Sequence, residues 1–248
     1  MDYEIIGGSF PVVECTLKNG ESMITQSGSM AYMDPTITME TSTNGGLKKV
    51  VGRLFTSEKL FQNVYTSTQD GSKIAFGTCV PGSILAIKIK PGEAFICQKS
   101  AFLASYGNIE LSTFFNKKIG VGIFGGEGFI MQKITGDGIV FIEIDGSNKE
   151  FELKEGQKLI LSTGYLVSMS DTCSIDVQTV KGLKNIFLGG EGLFNTVITG
   201  PGKVTVQTMP LPKLANGILP FLPTQSGSNN SGNNAVDAAT SIFKMLNK

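Results

Sequence analysis

Leu17-Lys18-Asn19-Gly20-Glu21-Ser22-Met23-Ile24 is written again as Ile89-Lys90-Pro91-Gly92-Glu93-Ala94-Phe95-Ile96, and again as Leu153-Lys154-Glu155-Gly156-Gln157-Lys158-Leu159-Ile160. Each copy runs aliphatic, Lys, turn residue, Gly, Glu or Gln, any residue, apolar, Ile, at offsets of 72 and 64 residues. A second set follows in the same order. Leu54-Phe55-Thr56-Ser57-Glu58-Lys59-Leu60-Phe61 aligns with Ile123-Phe124-Gly125-Gly126-Glu127-Gly128-Phe129-Ile130 and with Phe187-Leu188-Gly189-Gly190-Glu191-Gly192-Leu193-Phe194, at offsets of 69 and 64. Behind each comes a glycine (Gly71, Gly138, Gly202) and an alternating apolar run. Two ordered motif sets at nearly one spacing predict a repeated supersecondary unit. The repeats fall at about residues 11–79, 84–145 and 147–209, the first lengthened by a polar insertion from Asp34 to Lys49.

Apolar and polar residues alternate over four to eight positions between Gly, Pro, Asn and Asp, the pattern of short strands. Asn19-Gly20 and Pro91-Gly92 read as tight turns, with glycine taking the positive φ. Gly136-Asp137-Gly138 and Gly200-Pro201-Gly202 read as hairpin turns. Helical periodicity is absent before residue 235. The expectation is an all-β chain: three similar β-sandwich-like repeats in pseudo-threefold arrangement, filling residues 1–212, with a short C-terminal helix. One unit alone would leave an apolar face wet, and packing three together buries it.

Composition removes several classes of function. The 248 residues contain no histidine and no tryptophan, and 21 basic residues balance 21 acidic ones. A Ser-His-Asp triad, a His-ligated metal and a His pH switch are excluded. Zero net charge speaks against a nucleic-acid surface, and the clusters Lys48-Lys49-Arg53 and Lys117-Lys118 read as solvated loop charge. Cys15, Cys79, Cys97 and Cys173 form no CxxC pair, so they are expected as reduced, mostly buried thiols without a metal. The start, Met1-Asp2-Tyr3-Glu4, lacks the basic n-region of a secretory signal. No apolar run approaches the roughly 20 residues of a spanning helix. These features predict a cytoplasmic chain with no transmembrane segment.

The residues that carry the repeat also carry a resemblance. Phe124-Gly125-Gly126-Glu127-Gly128-Phe129 and Leu188-Gly189-Gly190-Glu191-Gly192-Leu193-Phe194 resemble a signature of the AIM24 family. So do Val80-Pro81-Gly82 with Lys99-Ser100-Ala101-Phe102-Leu103-Ala104-Ser105, and the closing Gly217-Ile218-Leu219-Pro220-Phe221-Leu222-Pro223. The first repeat departs, with Thr56-Ser57-Glu58-Lys59 in place of the glycines. The resemblance implies a fold similar to the tryptophan RNA-binding attenuation protein. It links eukaryotic members to mitochondrial inner-membrane organisation and supplies no catalytic residue set.

Glu58, Glu127 and Glu191 occupy one place in the three repeats, with Gly126 and Gly190 beside the latter two. Two roles fit them: a structural latch that accepts backbone N–H groups, or oxygen ligands converging on a cation. Neither Gly-Gly-Glu-Gly stretch is followed by Lys-Ser/Thr or a helix, so no phosphate or dinucleotide cofactor is expected. The tail divides into a Pro-rich arm (213–224), a flexible Gly/Ser/Asn linker (225–234) and an amphipathic helix (235–248). Leu219, Phe221 and Leu222 of the arm, with Ile242, Phe243 and Leu246 of the helix, are the expected oligomer contacts; the helix also offers a surface for a protein partner. The sequence therefore points to a non-enzymatic, self-associating scaffold or binding protein, with a small-ligand or cation-binding module as the alternative.

Overall fold

A computed structural model describes residues 1–26, 28–42, 62–117, 128–179, 194–218 and 221. The chain is predominantly β. Its first third holds β1 (Asp2–Ile6), β2 (Val12–Leu17), β3 (Ser22–Gln26), β4 (Met30–Met33), β5 (Ile37–Ser42), β6 (Gln62–Ser67) and β7 (Ser72–Gly77). The middle holds β8 (Gly82–Ile89), β9 (Ala94–Gln98), β10 (Phe102–Lys117) and β11 (Phe129–Asp145). The last third holds β12 (Asn148–Leu153), β13 (Lys158–Ser162), β14 (Leu166–Ser170), β15 (Ser174–Thr179), β16 (Phe194–Thr199), β17 (Gly202–Gln207) and the helix α1 (Leu211–Ile218).

All pairings are antiparallel. β7 lies between β2 and β4, and β1 covers the outer side of β2. β6 lies between β3 and β5. β17 lies between β12 and β14, and β16 between β13 and β15. The ribbon of β10 and β11 is long enough to take two further strands along β11: β9 pairs Met131–Thr135, and β8 pairs Gly138–Asp145. Two further pairings join these groups. β10 pairs β3, and β14 pairs β9, so the described strands form one ten-stranded sheet together with a four-stranded and a three-stranded sheet.

The core follows from alternation. Val13, Cys15 and Leu17 of β2 point inward with Ile74 and Phe76 of β7, against Met23, Tyr65, Leu103 and Phe141. A second cluster packs Ile96, Phe129 and Met131 against Leu166, Met169, Ile198 and Val204. A third gathers Ile89, Cys97, Ile134, Val140, Ile142 and Val167 around the β10–β11 ribbon.

The Lys-x-Gly turns form as expected, with Gly20, Gly92 and Gly156 at φ 82°, 85° and 71°. They link strands that do not pair with each other: those at Gly20 and Gly156 carry the chain from one sheet to another, and that at Gly92 joins β8 to β9, which pair with different halves of β11. Gly200-Pro201-Gly202 is not the expected hairpin turn: it connects β16 to β17, which do not pair but lie in the three-stranded and the ten-stranded sheet. Gly136-Asp137-Gly138 is no hairpin turn either. It lies inside β11, opposite Asn108 and Gly107 of β10. Its glycines serve close approach: a Cβ on Gly136 would stand 2.0 Å from the Asn108 carbonyl oxygen. The extended arm expected from residue 213 is also corrected, because residues 211–218 are helical. Pro212 falls in the first turn, where a missing N–H costs nothing, and the Pro210 carbonyl accepts Lys213 N–H at 2.8 Å. Residues 225–248, including the expected helix, lie outside the described residues.

Candidate functional site

Several strands pair on one side only among the described residues, including β1, β5, β12 and β15 as well as β4 and β13. β4 gives one side to β7, and its other side faces no strand among the described residues. It exposes Ala31, Tyr32 (45%) and Met33 (36%). β13 gives one side to β16, and its other side is equally without a described partner. At its centre Ile160 is 64% exposed.

The two joints inside the long sheet show what such edges do when paired. In the first, Ala104, Ser105 and Tyr106 of β10 stand opposite Thr25, Ile24 and Met23 of β3. In the second, Ser168, Met169 and Ser170 of β14 stand opposite Cys97, Ile96 and Phe95 of β9. Here Ile24 is 4% exposed and Ile96 is 0%. The first joint carries side-chain hydrogen bonds: Thr25 Oγ1 donates to the Leu103 carbonyl at 2.5 Å, and the Tyr106 hydroxyl donates to Glu21 Oε1 at 2.7 Å. Burial acts to raise the Glu21 carboxyl. The Lys18 N–H, the Tyr106 hydroxyl and the amino terminus outweigh it and hold that carboxyl below the usual range. In return, Glu21 and burial push Tyr106 up to about 12.

The latch that the sequence assigned to the second motif set is visible in the first. Glu21 Oε2 accepts Lys18 N–H at 2.9 Å, Glu93 Oε2 accepts Lys90 N–H at 3.3 Å, and Gln157 Oε1 accepts Lys154 N–H at 3.0 Å. The "Glu or Gln" position of that motif was the signal for it. Glu58, Glu127, Glu191, Gly126 and Gly190 lie outside the described residues, as do Leu219, Leu222, Ile242, Phe243 and Leu246. Phe221 is described, and it is 86% exposed.

One polar cluster, which the sequence reading missed, lies at the end of β11. Glu143 and Asp145, two residues apart, share a strand face. Glu143 Oε2 accepts Cys79 N–H at 2.9 Å, and Asp145 Oδ2 accepts Leu211 N–H, at the start of α1, at 2.8 Å. Burial, with a smaller push from Asp145, raises Glu143 to about 7 against the pull of the Cys79 N–H. Burial raises Asp145 as well. Their signal was the alternation Ile142-Glu143-Ile144-Asp145. Lys213 of α1 donates to the Tyr165 hydroxyl at 2.5 Å and lies over its ring at 5.3 Å, fixing the helix to the body.

The thiols are all free; Cys15, Cys97 and Cys173 are buried and Cys79 is exposed, in line with the expectation of mostly buried thiols. Burial pushes Cys15 and Cys97 up to about 12. Cys79 and Cys173 are also raised, first by burial. These thiols are protonated at neutral pH, the opposite of an activated nucleophile. Among the described residues, no group of three or more His, Cys, Asp or Glu side chains is arranged to hold a metal, and no helix is long and apolar enough to cross a membrane.

Comparison with known proteins agrees with the architecture. A family profile described as "Mitochondrial biogenesis AIM24" matches residues 3–209. An uncharacterized protein of Streptococcus pyogenes serotype M6 is 31% identical over 225 residues, spanning 88% of this chain and 89% of that protein. An X-ray crystal structure of a Streptococcus pyogenes protein superposes with a TM-score of 0.71 at 26% identity, over 89% of this chain and 99% of the other.

Proposed function

The chain belongs to the AIM24 family, and on that premise we propose that it is a non-enzymatic scaffold that acts by self-association. The exposed apolar edges of β4 and β13 carry this reading. An unpaired strand presents a row of backbone donors and acceptors to any compatible edge, and natural sheets blunt edges that must stay single. β4, Met30-Ala31-Tyr32-Met33, carries no charge. The outer strand β12 carries Lys149, Glu150 and Glu152 in six residues. The raised thiols support this reading, since none of the four cysteines is activated as a nucleophile. The four free cysteines suit a reducing, cytoplasmic setting.

The test is the native mass, by sedimentation velocity and light scattering over a wide concentration range. The expected result is a multiple of the 26.4 kDa chain. A particle of chain mass at every concentration overturns the scaffold reading.

A further inference from the structure

The strand pairings of the three segments correspond position by position. β2·β7, β8·β11 and β12·β17 are matched, as are β4·β7, β10·β11 and β14·β17, and likewise β3·β6, β9·β11 and β13·β16. A register shift falls at the same place in three of them: between Met30 and Tyr32, between Phe102 and Ala104, and between Leu166 and Ser168. Tyr32 therefore corresponds to Ala104 and Ser168, and Met33 to Ser105 and Met169. On the other strand, Ile160 corresponds to Ile24 and Ile96, and Leu161 to Thr25 and Cys97. The joints β10·β3 and β14·β9 each couple a strand of one segment to the preceding segment. After both are made, one strand of each kind is left over among the described residues: β4 and β13.

We propose that β4 of one molecule pairs with β13 of a second copy of this chain, antiparallel, with Met33 opposite Ile160 and Tyr32 opposite Leu161. This deepens the self-association reading and rests on it. The occupant is chosen by continuity with the two joints inside the chain, which define both the strand types and the register. Exposure agrees. Ile24 and Ile96 are 4% and 0% exposed because a strand lies beside them, while Ile160, at the same position with the same side chain, is 64% exposed. The strands corresponding to β4 are buried at Phe102–Ser105 and at Leu166–Met169, while Ala31, Tyr32 and Met33 are exposed. The contact joins two different edges. It is therefore heterologous, and each added copy presents a fresh edge until the assembly closes on itself.

The experiment uses the full chain with Cys79→Ser, which removes the exposed thiol. Met33→Cys and Ile160→Cys are made separately. Facing residues of an antiparallel pair stand about 4.5–5.5 Å apart at Cα, within disulfide range. Under mild oxidation, an equal mixture of the two variants is expected to give a covalent dimer on a non-reducing gel, while neither variant alone does so. The gel is read together with native mass. A multimeric particle with no cross-link in the mixture overturns the β4·β13 contact and leaves self-association standing; the tail or another edge is then the interface. A particle of chain mass throughout overturns both. A chain carrying both cysteines that closes only within itself, giving a faster-migrating monomer and no cross-link in the mixture, shows that the partner is the molecule's own edge and refutes the second copy.

Discussion

Replacing Glu143 by Gln should stabilise the fold at alkaline pH and leave it unchanged in acid. The reasoning starts from burial. The Glu143 carboxyl is raised from 4.5 to about 7, chiefly because burial disfavours its charge. The folded chain thus holds this proton more tightly than the unfolded chain does. Its contribution is fully present below pH 4.5 and is lost as pH rises through 7. At about 1.36 kcal/mol per pKa unit, the loss approaches about 3 kcal/mol by pH 8. Allowing for the part of the carboxyl that solvent reaches lowers it to about 2 kcal/mol. Glutamine does not titrate, and its Oε1 can still accept the Cys79 N–H held at 2.9 Å. Urea denaturation of both proteins, followed by far-UV circular dichroism at one protein concentration, should give coincident stabilities near pH 4. The gap should widen to about 2–3 kcal/mol in favour of Glu143→Gln by pH 8, or roughly 5–10 °C in Tm. A gap that stays constant from pH 4 to pH 8 refutes the buried-carboxyl account.

Ile96→Ala, in the β9·β14 joint where Ile96 is 0% exposed, should cost about 2–4 kcal/mol in urea denaturation; a cost under about 1 kcal/mol would show that the joint adds little to the fold. Gly136→Ala, at φ 122° with a Cβ 2.0 Å from the Asn108 oxygen, should cost at least about 2 kcal/mol, and a neutral result in the same assay would mean the ribbon relaxes freely there. Tyr106→Phe should remove from an ultraviolet pH titration the phenol ionising at about 12 and cost about 1 kcal/mol. That contribution is fully present below pH 10 and is lost as pH rises through 12, so parent and variant should converge in strong alkali. Raising salt from about 0.1 M to about 1 M shortens the Debye length from about 10 Å to about 3 Å and should leave the particle mass unchanged, because the β4·β13 contact is apolar. A fall to chain mass would identify charge as the dominant attraction.

The strand character of the chain was legible because each element obeys a two-residue alternation. Val12–Leu17, with Val13, Cys15 and Leu17 buried, is an example. The Lys-x-Gly turns were legible because only glycine adopts their positive φ at no cost. Gly136 and Gly138 misled for a related reason: glycine marks a turn and a tight backbone crossing in the same way, and only the opposing strand distinguishes them. Pro212 misled because a proline forbidden inside a helix is welcome in its first turn. The edges were the hardest to read. Ile24, Ile96 and Ile160 are one residue in one motif, and nothing local to residue 160 tells that its neighbouring strand is missing. That information lies in counting which strands the chain has already used.

The composition of the joints gives a physical reason for treating β4 and β13 as a pair rather than as two accidents. A joint inside one chain forms at the high effective concentration set by a short connection. It can include pairs of small or polar residues, Ala104 opposite Thr25 and Ser168 opposite Cys97, beside larger ones such as Tyr106 opposite Met23 and Met169 opposite Ile96. A joint between molecules must also offset the translational and rotational freedom lost on association, which calls for more apolar area from the same short strands. The substitutions run that way. Leu161 stands where Thr25 and Cys97 stand, and Tyr32 stands where Ala104 and Ser168 stand. Two charges flank the pair: Asp34, whose Oδ2 accepts the Lys73 N–H at 2.7 Å within its own molecule, and the exposed Lys158 at the start of β13. β12 carries Lys149, Glu150 and Glu152, whereas β4 carries no charge and β13 carries one, Lys158 at its first position. At the two positions where Tyr32 would face Leu161 and Met33 would face Ile160, all four side chains are large and predominantly apolar, and that is where a joint between copies needs its buried area.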